Sequence, residues 1–279
     1  MIPSIWTGMY GGLPLGESFK ALQACGWDVF EISSEHLVKI ELDTDPEALI
    51  AEAVRTKTEL GVQTPQAHAL LKAELASPDM AANKEDLQRV IRHIEIAAQL
   101  EVKDIVVHTG GRGGYTTRLE FREILDRNIE AFNRLGDAAR DKGMRVCVEN
   151  LGRRGICTSD DMLAFLEAAD HPALGIVLDT SHANLSGLDL PAMVRELGSN
   201  LIATHISDND GSGDQHLIPG GGNIDWTAVV ESLREIGYTG LFNLEIPGAR
   251  HPDPELKRMK TRFARQVTGF LLGEETESL

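Results

Sequence analysis

Cysteine is scarce in this chain: Cys25, Cys147 and Cys157 are odd in number and show no CxxC spacing. A disulfide scaffold is therefore excluded, and a reducing cytoplasm is the default location. Long apolar runs are missing too. No stretch approaches the roughly 20 residues of a membrane helix, and Met1 leads into IPSIWTGM without the basic start and apolar core of a secretory leader. Basic residues are outnumbered, 27 against 43 acids, for a net charge of −16. That balance disfavours nucleic acid and anionic membrane as partners held by general charge attraction. No GxGxxG follows the first apolar run, so the usual sign of a dinucleotide-binding open sheet is absent.

What remains is an ordinary globular composition, 42% hydrophobic and 25% charged over 279 residues. Apolar runs predict strands over Ile2–Gly8, Trp27–Ser33, Val62–His68, Asp104–Thr109, Met144–Glu149, Leu174–Asp179, Leu201–Ser207 and Leu241–Ile246. Helical periodicity predicts Gly16–Cys25, Pro46–Gly61, Asp79–Leu100, Leu119–Lys142, Ser159–Ala169, Leu190–Leu197, Trp226–Ile236 and Pro254–Leu272. Asp79, Ser159 and Asp225 are placed to cap helix amino ends, and Gly26, Gly61, Gly143 and Gly237 fall just past helix ends. Eight strand–helix alternations without a linker predict one α/β domain, a (β/α)8 TIM barrel over residues 1–272, with an acidic tail at 273–279.

Four consecutive runs in the second half end on residues able to bind a divalent ion: Glu149, Asp179, His205 and Glu245. In a parallel barrel the carboxyl ends of the strands share one mouth, so these four would span half of its ring. Three carboxylates and one imidazole suit one divalent ion, with Mn²⁺ first and Mg²⁺, Co²⁺ or Zn²⁺ as alternatives. The residues two back, Cys147, Val177, Ala203 and Asn243, are mostly small or apolar, as an inward layer should be. Taken singly, each of the four has a blander reading, since a strand-end carboxylate is more often a helix cap and a strand histidine a bonded core residue. Their common phase favours the joint reading.

Five histidines belong to the same mouth: His68, His108, His182, His205 and His216. His68 and His108 suit a second ion or, preferably, substrate hydroxyls. Glu31 is a candidate to orient His68, with a structural ion pair as the alternative. His36, His93, His171 and His251 carry no catalytic expectation, and Cys147 reads as barrel filling. The glycine-rich loops HTGGRGG and PGGGN offer backbone N–H groups to a phosphate, or are simply turns. Arg112, Arg153 and Arg154 are candidate anion or hydroxyl partners.

At DTSHAN, HISDNDGSGDQHLIPGGGNIDW and LEIPG the chain resembles the xylose-isomerase-like barrels, specifically the sugar phosphate isomerase/epimerase group. The resemblance runs essentially end to end and is strongest from Val146 to Gly248. It implies that Glu149, Asp179, His205 and Glu245 bind one divalent ion, that Glu149 and Glu245 form the acid–base pair, and that His182 contacts substrate. The superfamily also includes abasic-site endonucleases with three zinc ions, whose further ligands match His68, His108, His182, Asp214 and His216. The IDW at Ile224–Trp226 follows the sugar enzymes instead.

The favoured expectation is a metal-dependent sugar or sugar phosphate isomerase/epimerase. It would move a proton next to a carbonyl through a metal-stabilised enediolate. Glu149 and Glu245 are the catalytic residues in this reading. His68, His108, His182, Asp214, His216 and Arg153 contact a small carbohydrate. The alternatives are a multi-zinc phosphodiesterase, a related polyol or keto-acid dehydratase, and a sugar-binding barrel without activity. A homo-oligomer is compatible with the chain but not legible in it.

Overall fold

Runs such as Leu174–Asp179 are buried along nearly their whole length, as strands covered by helices on one face and barrel filling on the other must be. The computed structural model describes residues 1–111, 117–152, 156–249 and 253–274. Its strands are β1 (Ile2–Trp6), β2 (Val29–Ile32), β3 (Gln63–His68), β4 (Asp104–Val107), β5 (Arg145–Glu149), β6 (Leu174–Asp179), β7 (Leu201–His205) and β8 (Leu241–Leu244). Each neighbouring pair from β1 to β7 is parallel, and β8 pairs with β1 in the same sense. The ring closes between β7 and β8. There Ile206 N donates to Asn243 O at 2.8 Å and Glu245 N to Ile206 O at 3.0 Å. The Thr204 hydroxyl bridges the same seam, donating to Leu241 O at 2.6 Å and accepting from Asn243 N at 3.3 Å. The fold is a single-domain (β/α)8 barrel, as the alternation of runs predicts.

The helices are α1 (Leu15–Gln23), α2 (Ser34–Glu41), α3 (Pro46–Leu60), α4 (Met80–Gln99), α5 (Arg118–Arg140), α6 (Ser159–Ala169), α7 (Thr180–Leu185), α8 (Leu190–Leu197), α9 (Trp226–Glu235) and α10 (Pro254–Leu272). Asp79 and Asp225 cap α4 and α9 as expected. Ser159 does not cap. Thr158 takes that place in a reciprocal capping box with Asp161, and the Ser159 hydroxyl turns to Glu196. Gly26, Gly61, Gly143 and Gly237 all adopt positive φ.

Two short helices, α2 and α7, are not among the sequence expectations. Each follows its strand with almost no loop. Several predicted strands are also too long. β1 stops at Trp6 because the chain then turns into a 3-10 segment, Thr7–Tyr10, and Glu245 lies one residue past β8. No helix among the described residues is long and apolar enough to cross a membrane.

The main core fills the shell between strands and helices. A separate small layer of Val106, Cys147, Val177 and Ala203, all wholly buried, lies inside the barrel. Cys147 is therefore filling. The next inward positions on β5, β6 and β7 are Glu149, Asp179 and His205.

Candidate metal centre

The alternation of side chains along β5, β6 and β7 carries Glu149, Asp179 and His205 to the rim above that apolar layer, and the seam residue Glu245 joins them. One donor atom from each of the four lies within 4.8 Å of the others. His205 Nδ1 is 3.2 Å from Glu149 Oε1 and 3.4 Å from Glu245 Oε2. Asn150 cross-links the strand ends here, donating to Asp179 O at 2.9 Å and accepting from Asp179 N at 2.7 Å. Asp179 also does the blander job. Its Oδ1 accepts from His182 N at 2.7 Å and caps α7.

Glu149 serves a second group as well. Its Oε2 lies 2.8 Å from His108 Nε2 and 3.3 Å from His68 Nε2, and the two histidine nitrogens are 3.2 Å apart. A third group at the mouth comprises His182, Asp214 and His216, with His216 Nε2 3.2 Å and His182 Nε2 3.6 Å from the Asp214 carboxylate. Four of these histidines donate their Nδ1–H to a backbone carbonyl: His68 to Ala69, His108 to Leu71, His182 to Asn150 and His216 to Glu245. That fixes the ring orientation and turns Nε2 toward the carboxylates.

Burial and charge set the protonation of this cluster. Burial alone would raise the Glu149 carboxyl. The His205 charge, with bonds from His205 and His68, instead pulls it well below the usual carboxylate range. Glu245 moves the other way. Burial, with the Glu149 and Asp179 charges, pushes it up to about 7 against the opposing pull of His205. Burial also disfavours a charged His205, but Glu31, Glu245 and Glu149 hold it well above the ordinary imidazole value. His182 reaches about 11 and His216 about 10, because Asp179 and Asp214 outweigh burial for the first and Asp214 and Glu245 for the second.

The structure brings together Glu149, Asp179, His205, Glu245, His68, His108, His182, Asp214 and His216. A cavity of about 1060 Å³ opens over them, lined by His108, Glu149, His182, Asp214, His216 and Glu245, with Trp6 and Leu151 among its apolar walls. His68 is buried behind Glu149 and does not line it. Arg153, like Arg112, Arg154 and His251, lies outside the described residues. Glu31 does not meet His68: its carboxylate accepts from His205 Nε2 at 2.9 Å. His36 and His93 are buried away from the site, and His171 approaches Asp137.

Sequence reasoning also passes over Asp208. Wholly buried, it accepts from Gly220 N at 2.8 Å, Ile224 N at 3.3 Å and Trp226 Nε1 at 2.9 Å, and so folds the loop that carries Asp214 and His216. The signal was the tryptophan of IDW, whose indole needs a buried acceptor. The same contacts weaken the phosphate reading of the glycine loops. Gly220 N is spent on Asp208, Gly110 N on Asn128 and Gly111 N on Glu74. Glycine is required by close approach instead: a Cβ on Gly110 would lie 2.2 Å from Ala76 N.

The donor set fits a divalent cation. Three carboxylates crowd one imidazole, and the buried Asp179 Oδ2 has no hydrogen-bond partner among the described residues, with the His182 ring 3.7 Å away as its cationic neighbour. A buried carboxylate oxygen left bare is costly unless a cation meets it.

Comparison with known proteins agrees with this fold. The family described as xylose isomerase-like TIM barrel matches residues 19–266. This chain belongs to that family. It is 25% identical over 264 residues to a ketose 3-epimerase of Arthrobacter globiformis, covering 91% of this chain and 85% of that one. It is 34% identical to an uncharacterised protein of Methanocaldococcus jannaschii over 160 residues, about half of each chain (54% and 53%). A crystal structure of D-psicose 3-epimerase, determined in the presence of D-fructose, superposes with a TM-score of 0.83 over 98% of this chain and 100% of that one, at 21% identity.

Proposed function

We propose that the protein is a divalent-metal-dependent ketose epimerase. The observation that carries this reading is the convergence of Glu149, Asp179, His205 and Glu245 beneath an open cavity with room for a sugar, with two glutamates of opposite protonation tendency among them. The names of the sequence relatives point the same way. The four residues would hold the ion, Mn²⁺ being our first choice, and a bound cation supplies Lewis-acid stabilisation of charge on the substrate oxygens. The protein's own groups move the protons. Glu149, held ionised, takes a proton from the carbon beside the carbonyl, giving an enediolate. Glu245, able to carry a proton near neutrality, delivers one to the opposite face. His108, His182, Asp214 and His216 meet the sugar hydroxyls, with Arg153 as a further partner, and His68 steadies Glu149.

A second reading has its own observation. His68, His108 and Glu149, and separately His182, Asp214 and His216, are each able to hold an ion. Three ions would suit phosphodiester hydrolysis. The net charge of −16 argues against a DNA substrate. A dehydratase acting on a polyol or keto acid would share the enediolate chemistry.

One set of assays separates these readings. The Mn²⁺-loaded protein is offered free and phosphorylated ketoses, inososes and an abasic-site duplex, while bound metal is counted by mass spectrometry. Epimerisation of a ketose with about one ion per chain is expected. E149Q and E245Q should each lower turnover by roughly 10²–10⁴-fold. Near-normal rates in both variants would sink the paired-carboxylate mechanism, and strand cleavage with about three ions would establish the hydrolase.

A further inference from the structure

Barrel interiors are ordinarily filled by branched apolar side chains. Here β2 places Glu31 in the interior, wholly buried. Its Oε2 accepts three hydrogen bonds, from His205 Nε2 at 2.9 Å, from Asn243 Nδ2 at 2.7 Å and from Gln66 Nε2. Asn243 is itself fixed, since its Oδ1 accepts from Ser4 Oγ at 2.9 Å. The second oxygen, Oε1, has no hydrogen-bond partner among the described residues. As a structural plug this arrangement is poor, because a buried ionic group together with its polar partners is often matched or bettered by well-packed apolar side chains of the same volume.

The return is found in His205. The other four mouth histidines are held through Nδ1 by backbone carbonyls and present Nε2. His205 is reversed. Its Nε2 faces Glu31, and its Nδ1 faces Glu149 Oε1 at 3.2 Å and Glu245 Oε2 at 3.4 Å. To ligate an ion His205 must give up the extra proton that the surrounding carboxylates favour, and the neutral imidazole then has one N–H to give. Donated to a carboxylate, which can only accept, it leaves the Nδ1 lone pair aimed at the carboxylate group. Among the described residues no backbone carbonyl does this for His205.

We propose that Glu31 is a positioning residue for the metal centre, holding His205 in the tautomer and orientation that offer Nδ1 to the ion. This rests on the metal-site reading above and adds a residue that touches neither ion nor substrate. Carboxylates placed behind a ligating histidine also raise its basicity, and their removal typically weakens metal binding by about 10- to 100-fold.

The test measures Mn²⁺ affinity by competition with a chelator, beside the thermal midpoint of the metal-free protein, for wild type, E31Q and E31L. Both variants should bind Mn²⁺ about 10- to 100-fold more weakly, with E31L the weaker, while E31Q, which keeps an acceptor oxygen, still folds cooperatively without metal. Affinity within twofold of wild type in the folded variants would overturn the proposal. So would an E31Q protein that fails to fold without metal, since Glu31 would then serve the fold. A wild type that binds no Mn²⁺ would sink the metal-site reading itself, a result distinguishable from either.

Discussion

Asp179 shows how a single side chain answers to two demands. One oxygen caps α7, as the helix-cap reading has it, and the other is left for the proposed ion. Gly222 is constrained in another way. A Cβ there would lie 2.2 Å from the Asn209 carbonyl oxygen and 2.4 Å from Asp208 Oδ1, neither of which can retreat cheaply. Gly222→Ala is therefore expected to destabilise the protein by about 1–3 kcal/mol and to disturb the loop that carries Asp214 and His216. Urea unfolding measures the first effect. A variant of wild-type stability would show that the loop yields.

At the scale of elements, the strands and long helices are legible in the sequence because period and punctuation agree along them. The four rim residues are legible because each ends an apolar run. Less was visible for α2 and α7, whose polar faces and lack of a preceding turn hide them. The partner of Glu31 was also out of reach. It depends on the barrel's strand stagger, and the β2–β3 register shifts between Val29 and Glu31.

Helix α2 brings in its own titrating group. His36 is enclosed by the hydroxyls of Thr7, Ser18 and Ser33. Burial, helped by the Lys39 charge, pushes it down to about 4. An unfolded chain protonates this ring near pH 6.5. The folded state therefore binds fewer protons between those values, and the stability from neutral His36 is present above about pH 6.5 and lost as pH falls toward 4. The mouth histidines, held high by their carboxylates, work in the opposite sense, so the His36 contribution is read as a difference: on acidification from pH 7.5 to 5 the melting temperature of wild type should fall more, or rise less, than that of His36→Gln. An unchanged slope in that variant would remove His36 as a cause. His93, also held near 4 chiefly by burial, adds to the slope in both proteins.

For the whole molecule, the proposed ion binds the native state alone, since its four donors come from chain segments up to 96 residues apart (149 to 245). At a hundredfold excess over the dissociation constant, that linkage is worth about 2.7 kcal/mol, or roughly 5–10 °C for a domain of this size. Stripping metal with a chelator should lower the midpoint by that amount, and Mn²⁺ should restore it. A scan unmoved by either treatment would speak against the site.

The seam between β7 and β8 gives this linkage a location. Eight staves make the hoop, yet its last joint is tied by a threonine hydroxyl and the single residue Ile206, between the His205 and Glu245 ends. The proposed ion, gripping both ends, would be the buckle on that joint. Losing the cofactor and loosening the hoop would then be one event, with the enzyme's chemistry and its mechanical integrity failing together.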